Sequence, residues 1–149
     1  MKFVIQCTTQ ASVTIDQKLY SEIGKGFLVL IGICDEDTKE TADKMVRKLI
    51  GMRIFSDENG KTNLALKDVD GQLLLVSQFT LYADCKKGNR PSFVKAGSPH
   101  HANELYEYII DACKKEVPVV KTGVFGAEME VALINDGPFT IILDSKDLA

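Results

Sequence analysis

Hydroxyl and amide side chains gather at the end of an apolar run in the middle of the chain, where positions 77–81 read Ser-Gln-Phe-Thr-Leu. The preceding residues, from position 72 onward, are almost all apolar and predict a strand buried on both faces. The end of such a strand exposes unpaired backbone N–H groups, and Ser77, Gln78 and Thr80 add side-chain donors. Together these donors could stabilise the oxyanion that forms when water attacks an ester carbonyl. Taken alone, the residues favour a plainer interpretation, in which a Ser/Thr turn satisfies the backbone at the strand end.

A second polar cluster, Asn-Asp-Gly-Pro-Phe-Thr at positions 135–140, separates two short apolar segments near the carboxyl terminus. Pro138 directly follows Gly137 and begins a predicted strand, a place where proline removes no hydrogen bond from the sheet interior. The plain interpretation is a tight turn. Because X-Pro bonds in folded proteins are seldom cis, these residues do not by themselves specify a cis bond.

Conventional catalytic groups are scarce in this sequence. The two histidines, His100 and His101, are adjacent in the first turn of a predicted helix, where neighbouring side chains point apart and chelate poorly. There is no G-x-S-x-G elbow, Walker loop, H-E-x-x-H pair or C-x-x-C pair. No base stands beside a serine or cysteine, so a catalytic triad is improbable. We therefore expect neither a metal nor a cofactor, and catalysis that depends on the backbone and the substrate.

The charge distribution suggests one site for a phosphate chain. A net charge of −3 argues against a protein that coats nucleic acid by bulk electrostatics. Between positions 85 and 103, however, the chain has four cations and no acidic residue: Lys86, Lys87, Arg90 and Lys95. This segment could steer a phosphate backbone, and it could equally be a solvated loop whose lysines serve solubility.

Composition also predicts the setting of the protein. A chain of 149 residues with 45% hydrophobic and 26% charged residues fits one globular domain, residues 1–149. The longest apolar run, Gly26–Cys34, is about half as long as a membrane helix requires, so we expect no membrane segment. The start of the chain lacks the pattern of a secretion signal, and the four cysteines show no paired spacing. We expect a cytoplasmic protein.

Hydrophobic periodicity predicts the elements that position these clusters. Strand-like segments are expected at 2–9, 26–34, 53–55, 72–79, 117–121, 129–134 and 139–143, with one or two more between positions 10 and 25. A five-residue apolar stripe from Ala42 to Ile50 predicts a helix over 37–51, with Asp37 and Glu40 as a capping box. A second helix is predicted from a Ser98 cap to about position 116. Strands outnumber helices without regular alternation, which predicts an α+β fold: a curved, mixed or mostly antiparallel sheet system covered on one side by two helices.

The two polar clusters together resemble the signature pair of the D-aminoacyl-tRNA deacylases, hydrolases that remove D-amino acids from tRNA, and the similarity extends over nearly the whole chain. The motif Ser-Gln-Phe-Thr-Leu is matched at all five positions from Ser77 to Leu81, and Arg-Pro-Ser-Phe at 90–93 also resembles the family. The resemblance implies a layered β/β/α domain that forms homodimers with active sites at the subunit interface. It implies that Ser77, Gln78, Phe79 and Thr80 are catalytic, and that the partner subunit contributes a cis Gly137–Pro138 peptide to each site. The 3′-terminal adenosine and the rest of the aminoacyl-tRNA would be bound by Asn135, Phe139, Thr140, Lys86, Lys87 and Arg90.

Such a site would select the hand of the amino acid by exclusion. Rigid carbonyls at Gly137–Pro138 would occupy the space that an L side chain needs and leave room for the α-hydrogen of a D residue. Many D-amino acids would then be accepted, and glycyl-tRNA, which has no side chain to clash, would be hydrolysed too. Thr80 has no evident base, so we expect the ribose 2′-hydroxyl to orient or activate the attacking water.

Two departures from the family pattern and two alternatives remain. Cys7 stands where the family has arginine and cannot replace its fork of donors, while Phe139 stands in place of a valine as a conservative core exchange. Deacylases of mischarged L-alanyl-tRNA are the first alternative, although their Pro-Gln-Ala-Thr motif differs from positions 77–80. The second is a non-catalytic RNA-binding dimer that uses the loop from Lys86 to Lys95.

Overall fold

The computed structural model describes all residues from 1 to 149. Its strands are β1 Lys2–Ile15, β2 Lys18–Ile23, β3 Gly26–Gly32, β4 Phe55–Ser56, β5 Thr62–Leu64, β6 Gln72–Ser77, β7 Val120–Thr122 and β8 Glu130–Asp144. The α-helices are α1 Lys39–Gly51 and α2 Pro99–Lys114, and 3-10 helices cover Leu66–Val69, Phe79–Tyr82 and Ser145–Asp147. No helix is both long enough and apolar enough to span a membrane.

Strand β1 organises the main sheet, which has six strands. One edge of β1 pairs with β8 along almost its whole length, and the other edge pairs first with β3 and then with β2, all antiparallel. Strand β6 lies parallel to β3 on one side and to β7 on the other, and β4 and β5 form a separate hairpin. The prediction of a curved, mostly antiparallel sheet covered by two helices is confirmed.

The four central residues of β6, 73–76, are all apolar because both faces of the strand are buried there. Leu73 and Leu75 face the larger core cluster beneath the helices, whereas Leu74 and Val76 face a smaller cluster on the opposite side. All four side chains are at most 1% exposed. Burial of each stabilises the fold by about 1.5–3 kcal/mol, so this strand is a rigid support for whatever follows it.

The two helices run in the same direction, and their amino termini lie near one end of the sheet. The Ser98 N–H donates to the Asp35 carboxylate over 2.9 Å, and further along the helices the Tyr108 hydroxyl donates to Asp43 over 2.8 Å. Helix α1 buries Ala42, Met45, Val46 and Leu49 of its predicted stripe. The loops that follow β3 and β6 therefore converge on the amino terminus of α2.

The predicted cap of α1 is wrong. The helix is capped by Thr38 and Thr41, whose side chains and backbone groups exchange hydrogen bonds. Asp37 is buried, and its carboxylate accepts hydrogen bonds from the Met1 ammonium and the Cys34 N–H, both over 2.8 Å. The Asp37 carboxylate was predicted to cap α1, but it is buried and pairs instead with the distant Met1 ammonium.

Candidate active site

The predicted catalytic motif, residues 77–81, follows the carboxyl end of β6. The strand ends at Ser77, the Gln78 N–H donates to the Ile31 carbonyl over 2.7 Å, and a 3-10 helix begins at Phe79. Because the first N–H groups of a helix have no partner within it, those of Phe79 and Thr80 are free, and neither donates a hydrogen bond elsewhere. Two adjacent backbone donors at a strand end are suited to hold a developing oxyanion.

The side chains of the motif brace this turn. The Gln78 amide donates to the Thr80 hydroxyl over 2.5 Å, and both Phe79 and Thr80 are exposed while Ser77 is half-buried. No carboxylate or imidazole contacts the Thr80 hydroxyl, whose only hydrogen-bond partner is Gln78. Thr80 therefore has no base that would make it a nucleophile.

Gly32 allows this turn to pack closely against β3. A Cβ atom at position 32 would lie 2.9 Å from the Leu81 Cβ and 3.4 Å from the Gln78 carbonyl oxygen. Leu81 belongs to the same 3-10 helix as the two free N–H groups. Because position 32 has no side chain, the 3-10 helix that carries the two N–H donors can pack directly against β3.

We expect Gly32→Ala to lower the kcat for ester hydrolysis by roughly 10- to 100-fold. The new Cβ would displace the two backbone N–H donors from the ester oxygen, and small displacements of reacting groups have effects of this size. The matched control is Gly51→Ala, where a new Cβ meets no atom within 4 Å. Single-turnover rates of the two variants should differ while their thermal unfolding shows that both are folded. Equal rates would mean that the turn tolerates displacement.

A largely apolar cavity of about 530 Å³ opens beside the motif. Ser77, Gln78 and Phe79 form one side of it, Phe93 and the start of α2 another, and Phe125 a third. Eleven of its 16 lining residues are hydrophobic. The cavity therefore combines a mostly apolar lining with a few polar groups, an arrangement typical of small-ligand sites.

The histidines and buried cysteines take no part in this site. The His101 Nε2 lies 3.0 Å from the Asp37 carbonyl oxygen, and His100 is exposed at the start of α2. Burial, with a smaller contribution from Asp136, raises the pKa of Cys7 to about 11, and burial raises the pKa of Cys113 to about 12. These two thiols are protonated at neutral pH and are poor nucleophiles.

The second polar cluster forms an excursion from β8, where two strands were predicted. Gln6 of β1 pairs with Thr140 and Thr8 pairs with Asn135, so residues 136–139 protrude opposite a single β1 residue. The prediction of separate strands at 129–134 and 139–143 is wrong, since β8 continues through the excursion.

Hydrogen bonds across the base of the excursion hold it in shape. The Asn135 amide donates to the Thr140 hydroxyl and accepts from the Phe139 N–H, both over 3.0 Å, and Gln6 donates to the same hydroxyl over 3.3 Å. Phe139 is half-buried against the larger core cluster. The Gly137–Pro138 peptide bond is cis, and both residues are exposed. Asn135 and Thr140 thus support the tip, and their direct contact with substrate stays a prediction.

Within one chain the two clusters lie apart. The β1 residue opposite the excursion, Cys7, pairs with Phe27 of β3, which pairs with Leu73, four positions before Ser77 on β6. Strand spacing and rise place the clusters about 14 Å apart across the sheet and about 13 Å along it. Neither Gly137 nor Pro138 lines the cavity.

The predicted phosphate-binding loop lies beside the cavity. Asp84 and Ser92 form an isolated antiparallel bridge that closes the loop, and the carboxylate of Asp84 pairs with Lys95 over 3.3 Å. The other three cations, Lys86, Lys87 and Arg90, are exposed and form no salt bridge. Their contact with substrate stays a prediction.

A known protein family matches nearly the whole of this chain. The sequence profile described as D-Tyr-tRNA(Tyr) deacylase matches residues 4–144. The chain belongs to this family. It is 51% identical to a D-aminoacyl-tRNA deacylase of Clostridium novyi and 50% identical to one of Clostridium acetobutylicum, each over 98% of both chains. The predicted membership in a family of deacylating hydrolases is thus confirmed.

Solved structures share the deacylase fold. The chain superposes with a TM-score of 0.91 on a c-Myc DNA unwinding element binding protein, which is 41% identical, over 97% of this chain and 98% of that one. A probable eukaryotic D-amino acid tRNA deacylase matches with a TM-score of 0.83 at 17% identity, over 95% and 97% of the two chains, and shows the fold alone.

Sequence reasoning missed part of the site. Phe125 lines the cavity from a segment with no motif, and Gly32 lets the Phe79–Tyr82 turn pack closely against the end of β3. Phe93 was visible only as the last residue of the Arg-Pro-Ser-Phe segment that resembles the deacylases. These residues meet through the fold, and no local pattern in the sequence brings them together.

Proposed function

We propose that this protein hydrolyses the ester bond of D-aminoacyl-tRNA, releasing free tRNA and a D-amino acid. The observation that carries the proposal is the pair of free N–H groups at Phe79 and Thr80 beside an apolar cavity, in a chain of the deacylase family. Because aminoacyl-tRNA is made and used in the cytoplasm, we place the enzyme there. It needs no cofactor for this reaction.

The cavity is suited to the 3′-terminal adenosine. Its aromatic residues Phe79 and Phe125 offer ring faces and edges on which the adenine can stack. With adenine inside, the ester on the ribose lies at the polar side of the cavity, where Ser77 and Gln78 are found. The ester carbonyl oxygen then comes within reach of the two free N–H groups.

Hydrolysis follows from this placement. Water attacks the ester carbonyl carbon, and the N–H groups of Phe79 and Thr80 stabilise the negative charge on the carbonyl oxygen. The C–O3′ bond then breaks, the 3′ oxygen takes the proton that the water lost, and the D-amino acid and tRNA leave. The ribose 2′-hydroxyl orients the water and relays its proton, a role that Thr80 without a base does not fill.

The chiral filter comes from a second copy of the chain. Gly137 and Pro138 are exposed and lie far from the Ser77–Thr80 turn of their own chain, so a homodimer is the arrangement that brings them to a site. Their carbonyls would fill the space required by an L side chain and tolerate the hydrogen of a D residue. Side chains of D substrates then point away from the filter and are not discriminated.

Exclusion of this kind predicts that glycyl-tRNA is also hydrolysed, because glycine has no side chain to clash with the filter. We expect its kcat/KM to lie within roughly 100-fold of that for D-tyrosyl-tRNA, since the side chain of a D substrate is not read, and even a methylene that is read in a pocket changes kcat/KM by only about 10- to 200-fold. Release of labelled glycine from glycyl-tRNA by purified enzyme measures this. Complete resistance would show that a further filter operates.

A mixed dimer of two inactive chains should recover activity. Gly137 has φ 128°, and a Cβ atom there would lie 3.1 Å from the Phe139 nitrogen. Gly137→Ala must therefore shift the Gly137–Pro138 peptide, and we expect the shifted peptide to obstruct the substrate in the other subunit's site and inactivate it. Phe79→Pro removes one oxyanion donor from the other half of the site. After random reassortment, an equal mixture should regain about a quarter of wild-type activity, since half of the dimers are mixed and each has one intact site. Homodimers of each variant, taken through the same reassortment, are the matched control. If the mixture recovers no activity, each site takes both motifs from one chain.

Paired D- and L-tyrosyl-tRNA test the proposed function directly. Loss of the D ester alone supports it, and the same assay on L-alanyl-tRNA separates the first alternative. A non-catalytic RNA-binding dimer would leave all three esters at their spontaneous rate. The measurement is the rate at which purified protein hydrolyses each ester, corrected for the spontaneous rate.

A further inference from the structure

An exposed apolar surface adjoins the cavity on the side of the basic loop. Val94 is 85% exposed and Phe93 39% exposed, although Phe93 also lines the cavity. The Phe93 ring stands edge-on to Phe79, with the ring centroids 5.2 Å apart and the planes at 73°. We call Phe93, Val94 and the three unpaired cations of the loop the 86–94 surface. Exposed apolar side chains beside a ligand cavity mark a binding surface.

The loop that carries the three cations is closed at its base immediately before Phe93. Two backbone hydrogen bonds of 2.7 and 2.9 Å join Asp84 to Ser92, the residue immediately before Phe93. The Asp84 carboxylate accepts from the Lys86 N–H over 3.0 Å and pairs with Lys95, so it is occupied at the base of the loop. The free cations therefore lie on a closed loop whose carboxyl end leads directly into Phe93.

These cations have no carboxylate partner. The chain forms only two salt bridges, Met1 with Asp37 and Lys95 with Asp84. Lys86, Lys87 and Arg90 thus make a local positive site on a protein of net charge −3. A symmetric contact between two copies of this surface would bring like charges together, which argues for an anionic occupant.

We propose that the 86–94 surface binds the single-stranded RNA that precedes the terminal adenosine, with a base stacked on Phe93 and phosphates held by Lys86, Lys87 and Arg90. The proposal rests on the proposed function, because it extends from an adenosine bound in the adjoining cavity. Stacking faces combined with cations that follow the backbone are the usual means of binding a single strand. The surface would hold the acylated end in register over the catalytic turn.

The test compares three D-tyrosyl esters: of adenosine, of the trinucleotide CCA and of whole tRNA. For the wild type, kcat/KM should rise about 10- to 100-fold from adenosine to CCA, the range for a stacked base. The salt dependence of log kcat/KM should have a slope of about −1.4 for CCA, from two phosphates at about 0.7 each. Adenosine carries no phosphate and should show almost no salt dependence.

Two variants isolate the surface. Phe93→Leu keeps an apolar side chain against Phe79 and loses the stacking face, and the double substitution Lys86→Ala with Lys87→Ala removes charge. Both should lose more activity on the CCA ester than on the adenosine ester, and the double variant should flatten the salt slope. Lys87→Arg should preserve the slope. Lys61→Ala, exposed on the β4–β5 hairpin, is the control that should change nothing.

Each outcome bears on a separate claim. Equal wild-type kcat/KM for adenosine and CCA, or a gain that survives in both variants, would overturn the proposal. If the wild type hydrolyses no D ester, the proposed function fails, and the surface is judged by fluorescence anisotropy with unacylated CCA. Binding of CCA that is weakened in both variants then supports the surface proposal, and absence of CCA binding overturns the surface proposal. A change of oligomeric state in Phe93→Leu by sedimentation would make the surface a subunit contact and overturn it as well.

Discussion

Replacement of the terminal ribose by 2′-deoxyribose should slow enzymatic hydrolysis of a D-tyrosyl ester by about 10²–10⁴-fold, the usual contribution of a positioned proton-transfer group. Thr80→Ala should retain most of its activity. The reason is geometric: the Thr80 hydroxyl contacts Gln78 and no base, so the protein offers no group that would activate it. A substrate hydroxyl next to the ester is then the remaining group able to direct water.

The measurement is a single-turnover rate for the 3′-linked ester on ribose, 2′-deoxyribose and 2′-O-methylribose, each corrected for hydrolysis without enzyme. The O-methyl ester keeps the oxygen as an acceptor and removes its proton, so it separates orientation of water from proton relay. Complete loss of turnover in Thr80→Ala, with a tyrosyl adduct on the wild-type protein by mass spectrometry, would establish a covalent route instead.

The fold was predictable where one periodicity dominated. The stripe of α1 and the apolar run of β6 arise from burial on one face and on two faces, respectively. Both elements were found, although α1 begins at Lys39 instead of position 37 and β6 ends at Ser77 instead of position 79. The cap of α1 failed because Asp37 pairs with the Met1 ammonium, 36 positions away, and local propensity contains no such information. Strand β8 was divided in two because a protruding turn looks like a strand end until its pairing with β1 is known.

The candidate site was predictable only in part, and for a related reason. Ser77–Thr80 and Gly137–Pro138 are contiguous motifs, whereas the cavity is assembled from β3, β6, α2 and the segment around Phe125. The free N–H groups depend on a 3-10 helix that replaces the expected last residues of β6. The sequence motifs thus mark where chemistry happens, while the tertiary fold supplies the space for the substrate.

Removal of one backbone donor gives the sharpest test of this chemistry. We expect Phe79→Pro to have a kcat about 10²- to 10³-fold below that of Phe79→Ala, the loss typical of one oxyanion donor. Both variants lack the phenyl ring, so their difference reports the N–H alone. Proline is tolerated at the first position of a helix, and Gln78 before it has φ −144° and ψ 84°, outside the α region that a following proline disfavours.

The comparison requires that both variants fold alike. The Phe79 N–H makes no hydrogen bond in the protein, so its removal should leave the thermal unfolding temperature of Phe79→Pro close to that of Phe79→Ala. KM should also be similar, because the oxyanion forms only in the transition state and a donor that acts there changes kcat. Equal kcat values in two equally stable variants would mean that the Phe79 N–H does not stabilise the oxyanion, and would leave the Thr80 N–H or the ribose to do so.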